Sequence, residues 1–259
     1  MEKDILDDIS AVDLSAKVSV DNPIDYNGLM ILRQTTPARI CIGRAGTRYK
    51  TSDYLRLRAD HAVAMDAVWS YVDEKVVDEL GFFKVETLAK DKEEYITRPD
   101  LGRNFSDEVL KVIKENCIND ADVQIIAGDG LSSPAITSNL KEIYPIIFDG
   151  VKAKGYKIGT PIFVKHARVA TMDKISEALN AKVTLILIGE RPGLATGESM
   201  SCYMAYEASS KKPESQRTVI SNIHKNGMPP VEAGAQIVQL IETLLKEKKS
   251  GTDLKLKSH

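Results

Sequence analysis

From about residue 119 onward, short apolar runs alternate with longer stretches whose apolar positions recur at helical spacing. The runs rich in β-branched residues predict four strands, at 123–127, 160–164, 183–188 and 218–220. The run at 183–188 is apolar almost throughout, which is typical of a strand covered on both faces of a parallel sheet. This order of elements predicts an α/β fold, a doubly wound parallel sheet, over residues 119–259.

Helical patterns separate these runs, at 136–148 and 172–179, and a third helix follows the last run. That last helix opens at Pro229-Pro230 and ends among lysines before Gly251. Proline at the start of a helix, and cations with glycine at its end, are the expected asymmetry. Helices in these positions can cover both faces of the predicted sheet.

The first half of the chain has a different pattern. Residues 1–26 hold seven acidic residues and two lysines without a periodic apolar stripe, which predicts a flexible acidic arm. Residues 27–118 are mainly helical in pattern and predict a smaller domain that precedes the sheet. Within it, Leu55, Met65 and Trp69 recur near one helical face, so we expect them in a core.

The composition excludes several classes of protein. The chain has 259 residues, with 35 Lys and Arg against 37 Asp and Glu, and the net charge of −2 disfavours a nucleic-acid partner. Three widely spaced cysteines form neither a disulfide framework nor a metal-binding pair. No apolar run approaches the ~20 residues of a membrane span, and the first residues lack a signal peptide's basic and apolar regions. We therefore expect a soluble intracellular protein with no membrane or nucleic-acid partner.

Polar or glycine-containing segments follow all four predicted strands, at 128–133, 165–169, 189–193 and 221–224. Ligands of open parallel sheets bind beyond the carboxyl ends of the strands, beside the point where the strand order reverses. The four segments should meet at that edge. The sequence therefore predicts a ligand-binding crevice there.

The first of these segments partly matches a dinucleotide-binding pattern. Gly128, Gly130 and Ser133 fit GxGxxG except at its third position, and Asp129 would repel a pyrophosphate. A tight turn into the next helix is the favoured interpretation, against binding of NAD or FAD. We find no zinc-ligand spacing, nucleophile elbow or acid–base pair, so no catalytic residue is predicted.

Glu190 follows the most apolar strand and needs hydrogen-bond donors if it is desolvated. Arg191 could supply them as a structural partner, or the amides or hydroxyls of a ligand could do so, and both interpretations stay open. His166 lacks the flanking residues of the cobalamin-ligating Asp-x-His-x-x-Gly motif, since Val164 and Val169 stand there. His166 is therefore expected to be a hydrogen-bonding residue.

Several motifs occur in order along the chain: RLRADHAVAMD, IAGDGLSSPAI, GTPIFVKHARV, LIGERPGLATGESMSCY and RTVISNIHKNGMPP. Together they resemble the small subunits of ethanolamine ammonia-lyase over residues 8–256. The resemblance implies a Rossmann-like domain that helps to bind adenosylcobalamin, base-on, at the interface with a catalytic large subunit. It further implies that the large subunit, a (β/α)₈ barrel, binds ethanolamine and converts it to acetaldehyde and ammonia.

The resemblance also implies which residues contact the cofactor. The family's cobalamin-contacting positions fall on Val169, Glu190 and Val219, and Arg168 and Arg191 are neighbouring candidates for cofactor binding. Some members carry Cys where Val219 stands, so the resemblance leaves open whether this position contacts the cofactor through its side chain or through its backbone carbonyl, which would not depend on the residue type. No catalytic residue is implied in this chain.

Partners and location follow from the resemblance as expectations. Residues 27–118 are expected to contact the large subunit, in an assembly of six large and six small subunits. Some members have a longer N-terminal extension that directs packaging into a bacterial microcompartment. Here the family pattern begins almost at once, so we expect either a microcompartment or the cytoplasm, without packaging through this segment.

Overall fold

The computed structural model describes residues 17–36 and 38–254, which fall into two compact units. The first contains the described residues up to Asp66 together with Gly193–Thr196. The second contains Ala67–Pro192 and the described residues from Gly197 onward. Of the acidic arm predicted for residues 1–26, residues 1–16 lie outside the described part, so its flexibility stays a prediction.

The first unit combines helices with a short hairpin. Its elements are α1 (Tyr26–Gln34), the antiparallel strands β1 (Arg44–Ala45) and β2 (Arg48–Tyr49), and α2 (Thr51–Trp69), whose last turn belongs to the second unit. Asp60 on α2 is buried and forms ion pairs with Arg39 and with Arg56, whose Nε lies 2.7 Å from the carboxylate. These contacts fix the segment after α1 to α2.

The apolar stripe predicted on α2 is not a core. Leu55, Met65 and Trp69 are 51%, 50% and 51% exposed, so the prediction that they are buried is wrong. Helical spacing shows which residues share a face, but it does not show what covers that face.

The second unit contains a six-stranded sheet in the order β3-β5-β4-β6-β7-β8. The strands are β3 (Phe83–Glu86), β4 (Val123–Gly128), β5 (Ile162–Lys165), β6 (Val183–Gly189), β7 (Met200–Tyr206) and β8 (Thr218–Ile223). The first four strands in this order are parallel, whereas β7 is antiparallel to both of its neighbours. The sheet is therefore mixed, which corrects the expectation of a fully parallel sheet.

The antiparallel strand was not predicted, because MSCYMAY has no β-branched residue and follows an irregular segment. Since β7 reverses direction between β6 and β8, β8 again runs in the direction of β6. The carboxyl ends of β4, β5, β6 and β8 therefore lie at one edge, as the crevice prediction requires.

Helices cover both faces of this sheet. The helices of this unit are α3 (Glu74–Glu79), α4 (Lys92–Thr97), α5 (Asp107–Asn116), α6 (Ser133–Ala153), α7 (Thr171–Leu179) and α8 (Pro230–Glu247). Side chains of α6 and α8 pack with Leu185 and Leu187 on one face, and side chains of α5 and α7 pack with Ile186 and Ile188 on the other. This α/β arrangement is compatible with a Rossmann-like fold. No helix among the described residues is long and apolar enough to cross a membrane.

The boundary of the sheet-containing unit differs from the one expected at residue 118. β3 pairs in register with β5, from Phe83 opposite Ile162 to Glu86 opposite Lys165, so residues 67–118 belong to the same unit as the sheet. This four-residue edge strand carries lysine and glutamate at alternate positions, and its pattern is too short and polar to predict a strand.

Candidate functional site

The candidate site lies where the order of the parallel strands reverses. β5 and β6 flank β4 on opposite sides, and the helices that follow β4 and β5 pack on opposite faces of the sheet. The chain therefore leaves β4 and β5 towards opposite faces of the sheet, and a crevice forms beyond the sheet edge at this point. This is the position that the sequence predicted for a ligand.

Four of the five predicted cofactor-binding residues line one cavity in this crevice. Arg168 and Val169 follow β5, and Glu190 and Arg191 follow β6, while Leu131 on the segment after β4 completes the wall. The cavity has a volume of about 130 Å³, well below the 300–1,000 Å³ of pockets that enclose a drug-sized ligand. A large ligand would therefore lie across this surface instead of inside it.

Val219, the fifth predicted residue, is not among the cavity-lining residues. It lies on β8 directly opposite Tyr203 of β7, and cross-strand partners project from the same face of a sheet. Its side chain is 48% exposed. Val219 therefore offers an exposed apolar surface beside Tyr203.

Tyr203 connects this surface to Glu190. Its hydroxyl donates a hydrogen bond to Glu190 Oε1 at 3.0 Å. Burial, followed by the neighbouring Glu190 carboxylate, raises the pKa of Tyr203 to about 12, so the hydroxyl keeps its proton at neutral pH. Two interpretations were left open for Glu190, a structural partner or the donors of a ligand. The structure shows a structural partner, but this partner is Tyr203 and not Arg191. Among the described residues, the bond from Tyr203 goes to Oε1, which leaves Glu190 Oε2 able to accept from a ligand donor.

Arg168 presents an unused donor at the same crevice. Its Nη2 donates to the main-chain oxygen of Tyr95 (2.9 Å), and its guanidinium lies 4.4 Å from the centre of the Tyr95 ring. Its Nε is buried and has no hydrogen-bond partner among the described residues. Because buried donors in native proteins are normally paired, this atom indicates a missing partner such as a ligand or water.

Glycines bring the segments after β4 and β6 into backbone contact. A Cβ on Gly130 would lie 2.1 Å from Gly189 O, and a Cβ on Gly189 would lie 2.0 Å from Ser132 O. Gly130 also has φ +59°, a conformation that side chains disfavour. These contacts support the interpretation of the partial GxGxxG pattern as a tight turn, because the glycines serve packing between two loops.

His166 does not face the crevice. Its Nδ1 lies 2.9 Å from Ala89 O, as expected for a hydrogen-bonding histidine, and its ring lines a separate cavity of about 420 Å³ beside Tyr71 and Phe163. His224 is likewise hydrogen-bonded, with its Nε2 2.9 Å from Asn222 Oδ1. Among the described residues, no group of three or more His, Cys, Asp or Glu side chains is placed to hold a metal ion.

Sequence reasoning missed Tyr203, Tyr95 and Lys92 as residues of this region. Tyr203 lies on the strand that was not predicted, and the other two lie on α4, a six-residue helix. Each contacts a residue that is 13 to 72 positions away in the chain, so no local spacing indicates it. The one available hint was that the run MSCYMAY is mostly apolar, as a buried strand would be.

The fold and this crevice define an α/β protein with a polar crevice at the switch point of its sheet. A family model described as ethanolamine ammonia-lyase light chain (EutC) matches residues 26–255. The chain therefore belongs to the ethanolamine ammonia-lyase light chain family, and the resemblance seen in its motifs is confirmed.

Curated relatives agree with the family match. An ethanolamine ammonia-lyase small subunit of Clostridium acetobutylicum is 72% identical over 225 residues, which cover 87% of this chain and 93% of the relative. Proteins of the same name from Listeria monocytogenes (serovar 1/2a) and Clostridioides difficile are each 53% identical, over 248 and 250 residues. Both matches cover 96% of this chain and 85% of the relative.

Proposed function

We propose that this chain is the small subunit of an ethanolamine ammonia-lyase and helps to bind adenosylcobalamin, base-on, at its interface with the large subunit. The observation that carries the proposal is that the crevice contains both a hydrogen-bond acceptor and a hydrogen-bond donor. Glu190 offers a carboxylate acceptor, and Arg168 offers a buried Nε donor without a partner among the described residues. A corrin ring is fringed by amides, which need both acceptors and donors when they are desolvated.

The shape of the surface supports the same ligand. The crevice is too shallow to enclose a cobalamin, but Val169 and Val219 provide apolar contacts on either side of Tyr203 and Glu190. A broad, flat ring can lie against such a surface while a second protein covers its other face. Arg191 stands beside Glu190 at the rim, where it can donate to an amide oxygen.

The role of this chain in the reaction is to hold and shield the cofactor. Bound adenosylcobalamin supplies radical chemistry, and the protein contributes binding, orientation and exclusion of competing reactions. Glu190 and Arg168 orient the ring edge through hydrogen bonds, and the apolar contacts at Val169 and Val219 keep water from that edge. We expect substrate binding and the radical rearrangement in the large subunit.

A small subunit implies a large one, and the first unit has a surface that suits a partner. Ile31 and Leu32 on α1 and Leu55 and Met65 on α2 are each at least half exposed. Exposed apolar side chains in such number are typical of an interaction surface. We propose that this surface contacts the large subunit, in an assembly of six large and six small subunits located in a microcompartment or the cytoplasm.

The test is a titration of the assembled enzyme with adenosylcobalamin. Glu190→Ala and Arg168→Met should each weaken the cofactor Kd about tenfold, since each removes a hydrogen bond that involves a charged group. The KM for ethanolamine at saturating cofactor should not change. Glu115→Ala is the matched control, because Glu115 lies at the C-terminal end of α5, before the amino end of β4.

Two outcomes would contradict the proposal. One is a wild-type cofactor Kd in both crevice variants. The other is an equal loss of affinity for cofactor and substrate, which would indicate a general defect of assembly instead of a contact with the corrin ring.

A further inference from the structure

A buried ion pair lies directly behind the crevice. Lys92 on α4 and Asp129 on the segment after β4 are 3% and 1% exposed, and Lys92 Nζ lies 3.4 Å from Asp129 Oδ2. Lys92 Nζ also lies 5.4 Å and 5.3 Å from the ring centres of Tyr71 and Tyr95. Removing two charges from water is costly, so a pair buried this completely requires further hydrogen bonds to be stable.

Those hydrogen bonds come from the neighbouring loop. Asp129 Oδ2 accepts from the main-chain N–H of His166 (2.9 Å), and Asp129 Oδ1 accepts from that of Ala167 (2.8 Å). Both oxygens of one carboxylate therefore bind consecutive residues of the segment after β5. The negative charge of Asp129, which would repel the phosphates of a dinucleotide, is therefore buried and does not face the cavity lined by Glu190.

The two hydrogen bonds from residues 166 and 167 to Asp129 form a clamp, and one of the two clamped residues has an unfavourable backbone conformation. His166 has φ 59°, in the left-handed region that non-glycine residues rarely adopt. Its main-chain oxygen accepts from Thr87 Oγ1 (3.0 Å), and the oxygen of Ala167 accepts from the Tyr95 hydroxyl (2.8 Å). Such a conformation persists when surrounding contacts over-determine it. Arg168 and Val169 follow immediately, so this clamp sets where they stand.

We propose that Asp129, neutralised by Lys92, is a positioning residue that holds Arg168 and Val169 in the geometry needed to meet the cofactor. The inference rests on the proposed function of the crevice. Asp129 does not line the cavity itself and acts through the main chain of residues 166–167. A loop that is already ordered loses less conformational entropy when a ligand binds, and affinity rises accordingly.

Asp129→Asn is the most informative variant, because it keeps the shape of the side chain but replaces one acceptor oxygen with a donor. In the assembled enzyme we expect the adenosylcobalamin Kd to weaken about tenfold. Amide hydrogen exchange of the peptide covering residues 164–170, measured without cofactor, should become faster. The KM for ethanolamine at saturating cofactor should stay at the wild-type value.

Two further variants keep the test decisive. Tyr95→Phe removes only the hydroxyl bond to Ala167 O and should weaken the Kd roughly threefold, even if Asp129→Asn fails to assemble. Ile147→Val is the matched control for stability, because Ile147 is fully buried on α6 in the core of the opposite face. It should lower the Tm and leave both the Kd and the loop exchange unchanged.

The outcomes separate the positioning role from the proposed function. If Glu190→Ala weakens the Kd while Asp129→Asn and Tyr95→Phe do not, the positioning role is refuted and the cofactor crevice stands. The positioning role is also refuted if Asp129→Asn makes amide exchange of residues 164–170 faster but leaves the adenosylcobalamin Kd unchanged. If none of the three variants changes the Kd, the cofactor does not bind at this crevice and both proposals fail.

Discussion

Tyr203→Phe removes a single hydroxyl from the crevice and leaves the aromatic ring in place. In the native protein that hydroxyl donates to Glu190 Oε1 at 3.0 Å, so it holds the carboxylate in one orientation. Without it, Glu190 has to be oriented when the cofactor binds, and this ordering reduces affinity. We therefore expect the assembled enzyme to bind adenosylcobalamin more weakly.

The size of the effect follows from the geometry. A hydrogen bond to a charged group contributes about 1.5–3 kcal/mol. The bond here is at the long end of the O–H···O range, and both side chains are half-buried, so solvent screens the interaction. We expect a loss of about 1 kcal/mol, which corresponds to a roughly fivefold weaker Kd.

The assay is a double-mutant cycle in which the cofactor is titrated against Tyr203→Phe, Glu190→Ala and the combination. When Glu190 is absent, Tyr203→Phe should have no further effect. Tyr206→Phe is the control, because Tyr206 lies on the same strand at the opposite edge of the sheet, paired with Val183. An unchanged Kd in Tyr203→Phe, or the same loss with and without Glu190, would refute the reasoning.

Two predictions concern stability. Gly130→Ala places a Cβ 2.1 Å from Gly189 O at φ +59°, so we expect a loss of about 2–4 kcal/mol; an unchanged thermal midpoint would contradict it. Burial raises the pKa of the Cys117 thiol from 9.0 to about 11, so the unfolded chain loses that proton first as pH rises. The free energy of unfolding should therefore fall as the pH rises from 9.0 to about 11. In Cys117→Ala, the free energy of unfolding obtained from denaturant titrations should depend less steeply on pH over this range.

The central strands of the sheet-containing unit, and the helices that follow β4, β5 and β8, were predictable from local pattern. The run at 183–188 corresponds to β6 (Val183–Gly189), and the run at 123–127 corresponds to β4. Burial on both faces selects apolar β-branched residues along the whole strand, and this signal is local. β3 and β7 lack that signal: one is a short edge strand, and the other contains no β-branched residue.

The crevice was predictable for a related reason. Segments after strands that run in one direction must meet at one edge, so Arg168 and Glu190 could be placed together before their contacts were known. The role of Asp129 could not be foreseen, because its partners are main-chain N–H groups 37 and 38 residues away. Main-chain donors carry no residue-type signature, and a lone aspartate in a loop therefore gave no indication of a clamp.

The most direct test of the account is a structure of the assembled enzyme with adenosylcobalamin bound. We predict amide groups of the corrin within about 3 Å of Glu190 and of Arg168 Nε, at ordinary hydrogen-bond distance. We also predict that the ring lies over Val169 and Val219. A ring held far from these four residues, with Arg168 Nε bound only to water, would contradict the central claim that this crevice holds the cofactor.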